Sequence, residues 1–131
     1  MANRAVLMLA YGSPDSLDDM EAYLLDIRGG RPTPEAFVVE FRERYALIGG
    51  RSPLTERTFE QARETEAVLR GRGCDLPVYV GMRHWSPWIH EAVGRMQADG
   101  VEEAVAIVMA PHYSSMSIGR YWGKIQEAQE A

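Results

Sequence analysis

Three stretches of this chain are continuously aliphatic: residues 5–10, 78–82 and 104–110. Such runs, with no polar residue at alternate positions, predict strands buried on both faces of a parallel sheet. Elsewhere apolar residues recur every three or four positions, which predicts helices. The first helix starts at Ser16, a capping residue with Asp19 three positions on, carries Leu17, Met20, Leu24 and Ile27 along one face, and stops at Gly29 and Gly30. The second takes Thr33 as cap and Pro34 as its first helical residue, repeats Phe37, Phe41, Tyr45 and Ile48, and ends at Gly49 and Gly50. A third covers residues 55–70, turning Phe59, Ala62, Val68 and Leu69 to the core, and terminates at Gly71 and Gly73. A fourth opens at Ser86-Pro87, buries Ile89, Val93 and Met96, and closes at Gly100. The fifth begins near Ser117 and aligns Tyr121, Ile125 and Ala128.

The order is strand, three helices, strand, helix, strand, helix. It predicts an α/β fold, a three-layer, doubly wound parallel sheet with a helical insertion of about residues 14–72 after the first strand. That insertion is far longer than a single crossover helix requires, so it is expected to wall or cover one end of the sheet. The fifth helix reads as a crossover, which normally returns to another strand, and no further strand pattern follows it in this chain. At 131 residues and 46% hydrophobic, the chain suffices for one core and is short for two ordinary domains.

Charge narrows the partners. A net charge of −5 disfavours nucleic acid. No apolar run approaches the roughly 18 residues of a membrane span, and the first residues lack the pattern of a signal peptide, so a cytoplasmic protein without a transmembrane segment is expected. The single cysteine, Cys74, excludes a disulfide within the chain and any cysteine-ligated cluster, and its place between Gly73 and Asp75 predicts an inert surface thiol. The three histidines lack the spacing of a helical zinc site, and no intrinsic metal or cofactor is expected.

Open parallel sheets bind ligands beyond the carboxyl ends of their strands. Here those positions hold Tyr11-Gly12-Ser13-Pro14, His84-Trp85-Ser86-Pro87-Trp88 and Pro111-His112-Tyr113-Ser114-Ser115, which should face one cleft. Phenols, imidazoles and indoles suit a large flat aromatic ligand: rings stack, and phenol or imidazole can meet a metal or exchange a proton. Neither glycine-rich phosphate motif is present. Each residue also has a plainer reading: Tyr11 and His84 as packed strand ends, His112 as a structural histidine bonded to backbone, Trp85 and Trp88 as packing, His90 as a solvated helix residue. Arg28 and Arg44 sit near helix ends, where arginine either complements the dipole or, if the ends border the cleft, grips a ligand carboxylate. Glu40, Glu43, Glu127 and Glu130 read as solvated faces.

The strings LAYGSP at 9–14, DIRGGRP at 26–32, RY at 44–45 leading to IGGRSPL at 48–54, YVGMRHW at 79–85 and APHYSSMS at 110–117 resemble, in order, the signatures of the ferrochelatases. The tyrosine after the first strand points to the branch that uses coproporphyrin. The resemblance implies an enzyme of haem synthesis that inserts ferrous iron into a porphyrin held between two similar α/β lobes, iron and porphyrin being substrates. Residues 1–131 would be the N-terminal lobe. By position, Tyr11 is similar to the family's tyrosine that ligates iron on one face of the macrocycle. Arg28, Arg44, Tyr45, Ser52 and Tyr121 match positions that line the porphyrin site, and His84 and His112 match residues near the cleft. Gly29 departs from relatives with a second basic residue there.

The family's principal histidine and its acidic partner come from the second lobe, so this chain alone is expected to have little or no chelatase activity. The missing lobe is the expected partner. Two other readings stay open: a small homodimeric metal chelatase in which a second copy of the chain completes the cleft, and a non-catalytic porphyrin-binding module.

Overall fold

The computed structural model describes residues 3–110 and 118–130. Three strands, β1 (Arg4–Ala10), β2 (Val78–Met82) and β3 (Glu103–Val108), form one parallel sheet in the order β2-β1-β3. β1 is central, and Ala5 to Ala10 are all buried in it. Alternate side chains of this strand feed two layers. Ala5, Leu7 and Leu9 pack with Ile89, Val93 and Met96 of α4 (Ile89–Ala98) and with Tyr121 and Ile125 of α5 (Ile118–Glu130). On the opposite face Met8, Ala10, Val80 and Met82 meet Ala62 and Phe59 of α3 (Leu54–Gly71). The three-layer, doubly wound α/β architecture is therefore as the hydrophobic pattern predicts. Gly81 is needed where α4 starts across β2, because a Cβ there would come within 3.1 Å of the Ile89 Cα.

The insertion adds α1 (Met20–Ile27) and α2 (Glu35–Ala46), joined through a small core of Met20, Tyr23, Leu24 and Val38. Its boundaries differ from expectation in two places. The Ser16 hydroxyl donates to the Asp19 carboxylate at 3.1 Å instead of capping, so residues Leu17–Asp19 form a 3₁₀ turn and the α-helix begins at Met20. Pro34 has ψ 139°, an extended value, and so precedes α2 rather than opening it.

Three side-chain expectations are also corrected. Phe37 and Ile48, 50% and 57% exposed, do not form the buried face of α2; Val38, 4% exposed, takes that place against Met20, Tyr23 and Leu24. Val68 of α3 is exposed, because it lies off the helix face on which Thr58 and Ala62 are buried. β3, expected to be buried on both faces, is exposed from Glu103 to Ile107. It is an edge strand, and α3 packs on β2 rather than on it.

Burial sets the expected energetics. Leu9→Ala, at a side chain 1% exposed, is expected to lower unfolding free energy by about 2–5 kcal/mol in urea titrations. Val105→Ala, at a position 63% exposed, is expected to stay within roughly 0.5 kcal/mol of the parent.

Candidate functional site

The parallel ladder fixes the site. Ala10 pairs with Met82 at the ends of β1 and β2, and the pairing continues one step into the loops: Arg83 N–H donates to Ala10 O and His84 N–H to Tyr11 O, both at 3.0 Å. Tyr11 and His84 are thus held side by side at the carboxyl end of the sheet, their rings edge to face with centroids 4.6 Å apart. The turn after Tyr11 requires Gly12, which has φ +96° and would, with a Cβ, press on the Trp85 backbone nitrogen at 3.0 Å. Tyr23 of α1 ties this turn down by donating its hydroxyl to Gly12 O at 3.0 Å, and Trp85 Nε1 donates to Asp15 at 3.1 Å.

Arg83 links the loops to α5. Only 8% exposed, it lies with its guanidinium carbon 5.9 Å from the Tyr11 ring centre and 5.7 Å from that of Tyr121. Two aromatic faces stabilise its charge where water is scarce. His84, 5% exposed, has its Nδ1 2.8 Å from the Asp26 carboxylate at the end of α1. A carboxylate only accepts, so Nδ1 carries the proton and the neutral ring keeps its lone pair on Nε2. That Nε2 is buried with no hydrogen-bond partner among the described residues.

These groups border a cleft of about 670 Å³ between the end of α1 and the first turns of α5. Its charged walls are Arg28, Arg31, Arg83, Arg120 and Lys124 against Asp26 and Glu127, a cationic pocket on an acidic chain. Burial raises the proton affinity of the Tyr11 and Tyr121 phenols, with Arg83 opposing in each case. Burial lowers that of His84, with the Asp26 hydrogen bond opposing. The site therefore rests as neutral phenols and a neutral imidazole ringed by guanidinium groups. A larger hollow of about 730 Å³ lies at the opposite end of the sheet, around Asn3, Arg4, Asp75 and Tyr79, where parallel sheets do not gather catalytic loops.

A family model described as Ferrochelatase matches residues 3–131. The chain belongs to the ferrochelatase family. It is 51% identical over 125 residues to a ferrochelatase of Deinococcus radiodurans, covering 95% of this chain and 40% of that protein. It is 40% identical over 131 residues to a ferrochelatase of Herpetosiphon aurantiacus, covering 98% and 43%. To a coproporphyrin III ferrochelatase of Geobacillus thermodenitrificans it is 44% identical over 134 residues, covering 99% and 42%. The chain thus spans about 40% of the length of these curated relatives.

The structure brings some of the expected residues together and not others. Tyr11, Arg28, His84 and Tyr121 converge on or beside the cleft. Tyr45 packs against the α1–α2 core and does not line the cleft. Arg44 instead pairs with Glu40 at 2.5 Å along its own helix and lies over Phe41, and the Ser52 hydroxyl accepts from Leu54 N–H at 3.2 Å. Neither lines this cleft. His112 falls outside the described residues, as do Tyr113, Ser114 and Ser115. His90 and Cys74 are exposed, as expected.

Asp26, Arg31, Arg83, Arg120 and Lys124 carried no role in the sequence reading. Asp26 and Arg83 lie inside two of the signature strings, which was the available signal; their 58- and 72-residue separations from His84 and Tyr11 leave no periodic trace.

The tautomer yields a pH prediction. A His pKa lowered by burial means that the unfolded chain binds a proton more readily than the folded one. His84 therefore costs stability as pH falls below the unfolded value of about 6.5, and costs nothing above it. NMR titration should give His84 a midpoint under about 6.5, and Asp26→Asn should lower it further by removing the opposing carboxylate.

Proposed function

We propose that this chain is the N-terminal lobe of a ferrochelatase that inserts ferrous iron into coproporphyrin, and that it requires the second lobe for turnover. The observation that carries the reading is the cationic cleft with the Tyr11–His84 pair at its edge. Coproporphyrin is a flat tetracarboxylate, and guanidinium groups bind carboxylates in bidentate fashion. Arg28, Arg31, Arg83 and Arg120 supply such groups on both sides of one opening. Protoporphyrin, with fewer carboxylates, would leave more of that charge unpaired. Several relatives, among them those of Geobacillus thermodenitrificans and Listeria monocytogenes, carry the name coproporphyrin III ferrochelatase.

Metallation exchanges two pyrrole protons for one metal ion, so the site must hold the ring, meet the metal and accept protons. The arginines anchor the carboxylates. Tyr11, 41% exposed, presents its phenol from the sheet end as the ligand to incoming iron. Because burial keeps that phenol protonated, it becomes a good ligand only as the metal's own charge displaces its proton. His84 Nε2, bare and fixed by Asp26, is the proton acceptor on this side. We place the reaction in the cytoplasm, where an exposed thiol such as Cys74 stays reduced. No helix among the described residues is long and apolar enough to cross a membrane.

Two measurements test the reading. Ferric coproporphyrin bound to the chain should show a phenolate-to-iron absorption band that Tyr11→Phe abolishes; an unchanged spectrum removes Tyr11 as ligand. Arg28→Ala should weaken coproporphyrin binding by roughly 10–100-fold, the loss of one charge-assisted contact of about 1.5–3 kcal/mol, while the chain alone inserts no measurable iron. Iron insertion by the isolated chain would overturn the need for a second lobe.

A further inference from the structure

Charge pairing in this chain runs against burial. Arg4, Arg44, Arg57 and Arg70 are exposed, and each sits beside a carboxylate. Such pairs contribute little, because water already serves both charges. Arg83 is only 8% exposed, yet among the described residues no carboxylate pairs with its guanidinium and no acceptor takes its side-chain N–H groups. The rings of Tyr11 and Tyr121 flank it, but ring faces do not replace the acceptors that a guanidinium's donors require. A buried ion short of a partner is costly, and the cost falls when an anion binds.

The next residue lacks the opposite kind of partner. His84 is 5% exposed, its Nδ1 proton is engaged by Asp26, and its Nε2 lone pair is buried with no donor among the described residues. Both side chains line the same cleft, and both lie against the Tyr11 ring. The walls add Arg28, Arg31, Arg120 and Lys124 against Asp26 and Glu127, so the potential there favours an anion.

A donor fork beside a lone acceptor calls for a ligand with the reverse set, acceptor oxygens and one O–H. An ionised porphyrin carboxylate does not have it: it accepts from Arg83 and brings no proton to Nε2. Bicarbonate does. Its bare oxygens match the guanidinium fork as a carboxylate's would, and its hydroxyl donates to Nε2.

We propose that Arg83 and His84 form a binding site within this cleft for a small monoprotonated oxyanion of the bicarbonate class, separate from the groups that hold the ring's carboxylates. Arg28, Arg31 and Arg120, all less buried than Arg83, remain for those carboxylates. During metallation the anion takes a pyrrole proton on one oxygen while its hydroxyl proton passes to Nε2, so one proton leaves the ring and the anion is regenerated. This relay rests on the reading of the cleft as a metallation site; the anion site itself does not.

The test uses two anions of one shape. Nitrate is planar and singly charged like bicarbonate but has no O–H, so it satisfies Arg83 alone. The isotopically labelled chain is titrated with each at constant ionic strength, at a pH where bicarbonate keeps its single proton, and the Arg83 side-chain N–H and His84 Nε2 resonances are followed. Bicarbonate should bind saturably and move both; nitrate should move Arg83 only and bind about tenfold more weakly, the effect of one missing hydrogen bond. Arg83→Lys, which keeps the charge and loses the fork, should weaken both anions by roughly tenfold, and His84→Phe should erase the difference between them. The comparison on the unaltered chain needs no substitution, so a variant that misfolds does not blur the result. Equal affinities, no saturable shift at Arg83, or shifts confined to the exposed Arg31 and Arg120 would overturn the site. Metal-free coproporphyrin is then added to the chain saturated with carbon-13 bicarbonate. Retention of the bound carbon signal is expected; its release as the ring binds would give Arg83 to the ring and overturn the relay, whereas failure of the ring to bind at all would defeat the proposed function and leave the anion site standing.

Discussion

The arrangement depends on two hydrogen bonds that extend a β-ladder past its strands. Arg83 N–H to Ala10 O and His84 N–H to Tyr11 O, both at 3.0 Å, hold two loop residues against the end of β1. Without them Tyr11 and His84 would share an end of the sheet but not a contact. With them, the phenol and imidazole rings meet, Arg83 is set against Tyr11, and Asp26 at the end of α1 finds the imidazole from the other side. The helical insertion is tied to the same turn through Tyr23 and Gly12.

Desolvation then decides the chemistry. Around this turn it outweighs each opposing charge: Arg83 fails to pull the Tyr11 proton off, and Asp26 fails to keep His84 protonated. The outcome is a neutral donor beside a neutral acceptor, inside a rim of permanent cations. Such a rim attracts a polycarboxylate and repels a free metal ion.

The fold was legible because its signals are local. Continuous aliphatic runs marked all three strands, and the periodicity of Ile89, Val93 and Met96, or of Tyr121, Ile125 and Ala128, marked the faces that are in fact buried. The pattern misled where burial depends on a neighbour rather than on the element itself. Val105 and Ile107 have the composition of an inner strand, yet lie at an edge; Phe37 has the spacing of a core face, yet faces away from α1. Of the candidate site, the motif residues Tyr11, Arg28, His84 and Tyr121 could be named from the sequence, and they lie together at or beside the cleft. The site was not legible in Asp26 and Arg83, whose roles arise from register between segments more than fifty residues apart. Arg44 and Ser52 are engaged within their own segments, which no motif could indicate.

On the proposed function, the carboxyl end of this sheet, and not its other hollow, receives a flat tetrapyrrole. It is tested most directly by titrating the isotopically labelled chain with metal-free coproporphyrin and mapping ring-current shifts. Large shifts are expected at Tyr11, Arg28, Arg83, His84 and Tyr121, with Tyr79 and Asp99 at the opposite end unmoved. Shifts centred on Tyr79 and Asp99, or no saturable shift at Tyr11 and His84, would contradict it.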